Sequence, residues 1–87
     1  MKTRLSRQEA LDIEMALFRA EIMFARELVR SIETRGIPGA TDTDAELVEM
    51  DRDRLECVQR AMTILGARLH YDADGRELPP AAGESAA

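Results

Sequence analysis

The chain has one cysteine and one histidine, and these are its first candidates for nucleophilic or acid–base chemistry. A reactive thiolate needs a nearby histidine or cation that stabilises it. Cys57 has only Arg54 and Arg60 within one helical turn, and His70 follows thirteen residues later. We therefore predict that Cys57 is a packed thiol and not a nucleophile.

Spaced carboxylates are the second candidates, because helical bundles hold metals with inward glutamates and Glu-x-x-His pairs. Glu14 and Glu21 lie one heptad apart, but neither is followed by a histidine three residues later. We predict that both are solvated charges on the flanks of a helix. His70, next to Tyr71, is predicted to cap the end of the second helix, where a cation is favourable.

The segment Asp72-Ala73-Asp74-Gly75 resembles part of a calcium-binding loop. It has His70 where the first acidic ligand would stand and Ala81 where a glutamate would close the loop. A turn with glycine in the left-handed conformation is therefore predicted. No set of residues predicts a catalytic, cofactor or metal site, so the chain is not expected to be an enzyme.

The first element that positions these residues is a long helix predicted over 7–35. Ser6 and Glu9 match a capping box at its start, and Gly36 with Pro38 ends it. Apolar residues alternate in steps of four and three, which is a heptad pattern. They are Leu11, Met15, Phe18, Ile22, Ala25, Val29 and Ile32. This seam is expected to face a second helix.

That second helix is predicted over 44–70, with Thr43 and Glu46 as its capping box. Its apolar stripe consists of Val48, Leu55, Val58, Met62, Leu65 and Leu69. Two helices joined by a short loop form an antiparallel hairpin, so residues 1–72 are predicted to be one all-α unit. Residues 73–87, which contain Pro79-Pro80 and an Ala/Gly/Ser run, are predicted to be a flexible tail.

Composition limits the partners of such a hairpin. The net charge is −5, the pI is near 4.8 and aromatic residues make up 3%, so direct nucleic-acid binding is not expected. Acidic residues interrupt the first twenty positions and no long apolar run exists, which argues against a signal peptide or membrane span. A single cysteine fits a reducing, cytoplasmic setting. Arginine far exceeds lysine, a bias that suggests a bacterial or phage genome.

A second apolar face on the first helix predicts a partner. Ile13, Leu17, Ala20, Met23 and Phe24 lie away from the heptad seam, and Cys57, Ala61 and Ile64 lie at the same height on the second helix. Burying four of these in each of two chains is worth roughly 12–24 kcal/mol. Association costs about 4–15 kcal/mol or more. A homodimer forming a four-helix bundle is predicted, with a different protein as the open alternative.

Two functional hypotheses follow. The first is a small bacterial or phage adaptor or assembly factor that acts as a homodimer. The second is an acidic inhibitor that presents Glu49, Asp53 and Glu56 to a nucleic-acid-binding protein, as small acidic phage inhibitors, including some anti-CRISPR proteins, do. The competing prediction is that the acids of the second helix pair with arginines of the first helix. The acids are Glu49, Asp51, Asp53 and Glu56, and the arginines are Arg19, Arg26 and Arg30.

Overall fold

A computed structural model describes residues 4–79 of the chain. Two α-helices, α1 (Arg7–Arg35) and α2 (Asp42–Ile64), pack against each other, and the described residues contain no β-strand. Glu21 of α1 is bonded to Gln59 of α2, and nearer the connecting loop Arg35 and Asp51 line one depression. The helices therefore run antiparallel. The all-α, two-helix part of the predicted fold is confirmed.

The first helix has the predicted bounds. The Ser6 hydroxyl accepts from the Glu9 backbone N–H at 3.1 Å, and the Glu9 carboxylate accepts from the Ser6 N–H at 2.9 Å. This reciprocal pair satisfies two of the amides that a helix start leaves without partners. The predicted capping box is confirmed.

The second helix begins two residues earlier and ends six residues earlier than predicted. Its capping box consists of Thr41 and Asp44, so the assignment to Thr43 and Glu46 was wrong. The helix ends because Gly66 adopts a φ of +76°. The backbone bonds from Ala67 to Met62 (2.8 Å) and from Gly66 to Thr63 (3.0 Å) form a Schellman motif there.

Residues 65–79, here called the C-terminal segment, do not continue the helix. They fold into a turn in which the Gly75 N–H donates to the Asp72 carbonyl at 3.0 Å and Tyr71 forms an isolated antiparallel bridge with Glu77. Gly75 has the predicted left-handed conformation, with a φ of +83°. Residues 73–77 of the predicted tail take part in this turn and bridge, and residues 80–87 of that tail lie outside the described residues.

A small core lies between the helices. Ala25, Leu28, Val48 and Leu55 form one buried cluster, with Phe24, Ile32 and Tyr71 packed against it. Met62 is buried as well. The predicted stripe on α2 therefore faces α1 through Val48, Leu55 and Met62, whereas Leu65 is exposed beyond the helix end.

The face that α1 turns toward α2 differs from the predicted seam. Its buried residues are Glu21, Ala25, Leu28 and Ser31, whereas the seam residues Leu11 and Met15 are about half exposed. At 100° per residue, the observed face is rotated by about a quarter turn from the seam. It lies between the seam and the second apolar face, so each of the two contributes part of the contact and keeps part uncovered.

Candidate functional site

A fully buried carboxylate holds the C-terminal segment against the helices. Both oxygens of Glu21 are used: Oε2 accepts from the His70 backbone N–H at 2.9 Å and from the Gln59 side-chain amide at 3.2 Å. Oε1 lies 2.9 Å from the His70 Nδ1, within hydrogen-bond distance. The prediction that Glu21 is a solvated flank charge was therefore wrong, because it has no exposed surface.

His70 is not the helix cap that the sequence predicted, because α2 ends six residues before it. Its ring instead stacks on Phe18 of α1, with ring centroids 4.7 Å apart and an interplanar angle of 17°. Gln59 adds a bond of 2.7 Å from its amide to the Tyr71 carbonyl. Glu21, Gln59 and the Phe18 ring together fix the chain where it leaves α2 and returns along α1.

The next turn of the segment approaches α1 closely. A Cβ on Gly75 would lie 2.5 Å from the backbone oxygen of Ala25, a distance that leaves no room for a side chain. On the other side, Arg52 of α2 donates to Asp74 at 2.7 Å, and Asp72 accepts from two backbone amides of the turn. The carboxylates of Asp72 and Asp74, which resemble part of a calcium loop, are thus used in hydrogen bonds within the protein. The predicted turn is confirmed.

A histidine oriented by a carboxylate is a catalytic arrangement only when a nucleophile or substrate group can reach it. Two shallow depressions of about 330 and 230 Å³ flank the stacked Phe18 and His70 rings. Neither is lined by a serine, threonine or cysteine among the described residues. Cys57 is exposed on α2, not packed as predicted. Within residues 4–79 no three potential metal ligands cluster.

The acidic residues of α2 are exposed and partly neutralised. Glu49 lies 3.4 Å from Arg52, and Glu56 lies 2.8 Å from Arg60, both within the same helix. Asp51 lies 3.7 Å from Arg54, also within α2. Among the described residues no ion pair joins Arg19, Arg26 or Arg30 to the acids of α2, so the predicted pairing between the helices was wrong. Asp53 is exposed between the pairs of Glu49 and Glu56.

Many large apolar side chains remain uncovered. Eleven large apolar residues of the described chain are exposed, against five apolar residues in the buried core. Neither α1 nor α2 combines the length and the apolar character that a membrane span requires.

One uncovered region is the side of the hairpin away from the C-terminal segment. The segment contacts the edge of α1 that carries Phe18 and Ile22 and the edge of α2 that carries Arg52 and Gln59. On ideal helices the opposite edges border one shared side. We call this the groove surface; it consists of Leu17, Ala20, Phe24, Val58, Ala61 and Leu65, all half-buried except Leu65, which is exposed.

The groove surface includes four of the eight residues predicted as an interface: Leu17, Ala20, Phe24 and Ala61. Ile13 is exposed on α1 beyond the level at which α2 ends, and Ile64 is 81% exposed at the end of α2. Met23 lies outward, in a depression that it shares with arginines of α1, and Cys57 is exposed on α2. The structure thus brings together part of the predicted set.

The second uncovered region is the N-terminal half of the heptad seam. We call it the stripe; it consists of Leu11, Met15, Phe18 and Ile22. Leu11, Met15 and Phe18 are exposed, and Ile22 is half-buried beside the C-terminal segment. Sequence reasoning did identify these residues, but it assigned them to the contact with α2.

Comparison with known proteins adds no functional information. No family model, curated protein or solved structure matches this chain.

Proposed function

We propose that this protein acts by protein–protein contact and without catalysis, as a homodimer that serves as an adaptor or assembly factor. The observation that carries the proposal is the excess of exposed over buried apolar side chains. A helical hairpin of this size has too small a core to offset its chain entropy easily. Covering the exposed residues would supply the missing burial.

The groove surface is the first contact surface of this proposal, and its occupant is a second copy or another protein. The large apolar residues of this surface are Leu17, Phe24 and Val58, which are half-buried, and Leu65, which is 37% exposed. The gain from covering these four residues in two chains is therefore at most about two fifths of that for full exposure, roughly 4–9 kcal/mol. This matches the cost of association, about 4–15 kcal/mol. The groove surface alone would support weak self-association.

Light scattering coupled to size-exclusion chromatography tests the proposal over a range of concentrations. The expected mass is that of a dimer. Leu17→Asp probes the groove surface, and Ile37→Asp is its matched control, because Ile37 is exposed on the interhelical loop. Circular dichroism of both variants separates loss of contact from loss of the helices. A chain that stays monomeric at every concentration would refute the homodimer.

The acidic inhibitor is the weaker proposal. The observation that supports it is that Glu49, Asp53 and Glu56 are all exposed on α2. The ion pairs with Arg52 and Arg60 offset two of these three charges, which lowers the field available to attract a basic groove. Reversing the three acids to lysine would remove inhibition and leave the dimer intact if this proposal holds.

A further inference from the structure

The N-terminal end of α1 projects beyond the other helix. Gln59 lies opposite Glu21, and α2 ends five residues after Gln59, at Ile64. In an antiparallel pair, Ile64 is therefore level with about residue 16 of α1. The preceding helical residues, from Arg7 onward, extend for roughly 13 Å at about 1.5 Å per residue without a neighbouring helix. Leu11 and Met15 of the stripe lie on this projection.

A short helical projection gains little from its own hydrogen bonds, because isolated helices of this length are marginal in water. The Ser6–Glu9 capping box fixes where it starts. Its stripe keeps the four–three–four spacing that pairs one helix with another. From the geometry we infer that the stripe binds the stripe of a second copy, with the two α1 helices antiparallel. This inference rests on the homodimer proposed above and names its interface.

The charges beside the stripe select this occupant and its register. Along the open flank, Asp12 and Arg19 are exposed and lie one heptad apart. In an antiparallel pair with Met15 opposite the second copy's Phe18, each Asp12 meets an Arg19 of the other chain, so the contact forms twice. A shift of one heptad in one direction would bring Asp12 onto its own copy. A shift in the other direction would bring Arg19 onto its own copy, while Asp12 would meet the exposed Arg26. The register with Met15 opposite Phe18 is thus the one of these three in which no like charges of this flank meet.

A parallel pair needs both flanks of the stripe. Its contacts would join Arg7 to Asp12, Glu14 to Arg19 and Glu21 to Arg26 between chains. Glu21 is fully buried and bonded to His70, so it is not available to a partner. The antiparallel pair can use the open flank alone.

The shape of the surface agrees with this register. Ile22 lies opposite Leu11 of the second copy in the pairing. Ile22 also lines the larger depression, of about 330 Å³, beside Phe18, Tyr71 and Leu78. Leu11 of each chain would therefore enter a depression on the other, as a knob enters a hole. The C-terminal segment forms one wall of that hole.

The closing experiment compares Met15→Asp with Leu17→Asp, two neighbouring residues on different faces of α1. We expect Met15→Asp to weaken the dimer by at least ~100-fold, because it would bury a charge without a partner. Leu17→Asp changes only the groove surface, whose contribution to self-association is weak, so it should weaken the dimer far less than Met15→Asp does. A dimeric Met15→Asp protein overturns the inference but not the proposed function, whereas a monomeric wild-type chain refutes both.

Charge reversal tests the register. Asp12→Arg and Arg19→Asp should each weaken the dimer on the order of tenfold, because each turns two attractive contacts into two repulsive ones. The double variant should restore wild-type affinity, since it exchanges the partners of every contact. In a parallel pair the double variant would place like charges at Arg7 and Glu14, and failure to restore affinity would overturn the antiparallel register.

Discussion

Gly75 is the residue at which the C-terminal segment meets α1, and its substitution by alanine should detach that segment. Two costs combine at this position. The φ of +83° disfavours any residue with a Cβ, by roughly 1 kcal/mol relative to glycine. The added Cβ would also lie 2.5 Å from the Ala25 backbone oxygen, so the turn must move outward by nearly an ångström.

The overlap with a backbone atom cannot be relieved by rotating a side chain. Moving the turn strains the bonds that hold it, from Gln59 to the Tyr71 carbonyl and from Arg52 to Asp74. Overpacking of this kind costs typically 1–3 kcal/mol. Gly75→Ala should therefore lower the free energy of unfolding by about 2–4 kcal/mol in total, as the sum of strained φ and overlap.

Gly66 provides the matched control, because it has a similar φ of +76° but no atom lies within 4 Å of the position that a Cβ would occupy. Gly66→Ala should cost only the conformational part, roughly 1 kcal/mol. The melting temperature of Gly75→Ala should then be lower than that of Gly66→Ala by at least about 4 °C. Equal melting temperatures would refute the argument that the close approach to Ala25 matters.

The assay can also show where the loss occurs. Tyr71 is the only tyrosine and the chain has no tryptophan, so tyrosine fluorescence reports on the C-terminal segment alone. Circular dichroism at 222 nm reports on the two helices. Gly75→Ala should change the fluorescence before urea is added, while the helical signal is largely kept. A variant with native fluorescence would show that the turn still packs on α1.

Two further predictions concern single carboxylates. Glu21→Ala should lower the free energy of unfolding by about 2–3 kcal/mol, because it leaves the His70 amide without its buried acceptor. Urea denaturation measures this loss. It should be smaller for Glu21→Gln and absent for Glu33→Ala, a control at an exposed position. Hydrogen bonds from Thr41 hold the pKa of Asp44 below its ordinary value of 3.8. The stability that the ionised Asp44 contributes should thus be complete above pH 3.8 and lost as the pH falls through the lowered pKa. The free energies of unfolding of Asp44→Asn and wild type should therefore become equal in acid. A difference between them that persists in acid would contradict this.

Local signals identified the elements whose stability is local. The Ser6–Glu9 capping box and the residue at which α1 ends need only neighbouring residues, and both were predicted at the observed positions. The same logic would have placed the end of α2 at Leu65, because Gly66 is the typical residue after a helix end. The prediction instead extended the second helix to residue 70, because Leu65 and Leu69 continue its apolar spacing past Gly66.

The buried carboxylate could not be predicted from spacing. Glu21 lies between apolar residues on the helix surface, and a charge there is usually solvated. Its burial depends on His70 and Gln59, which are 49 and 38 residues away in the chain. Only when α2 ends early does the chain turn back and bring the His70 amide to Glu21.

The sequence by itself determined that this protein is a pair of α-helices, with a capping box at the start of α1 and with more apolar residues than one contact can cover. Periodicity and caps are properties of neighbouring residues, so they can be read without the fold. The tertiary structure decided which face of α1 meets α2, because the heptad seam and the second face were both apolar enough to serve. Packing chose the face between them, and Leu11, Met15 and Phe18 were left exposed.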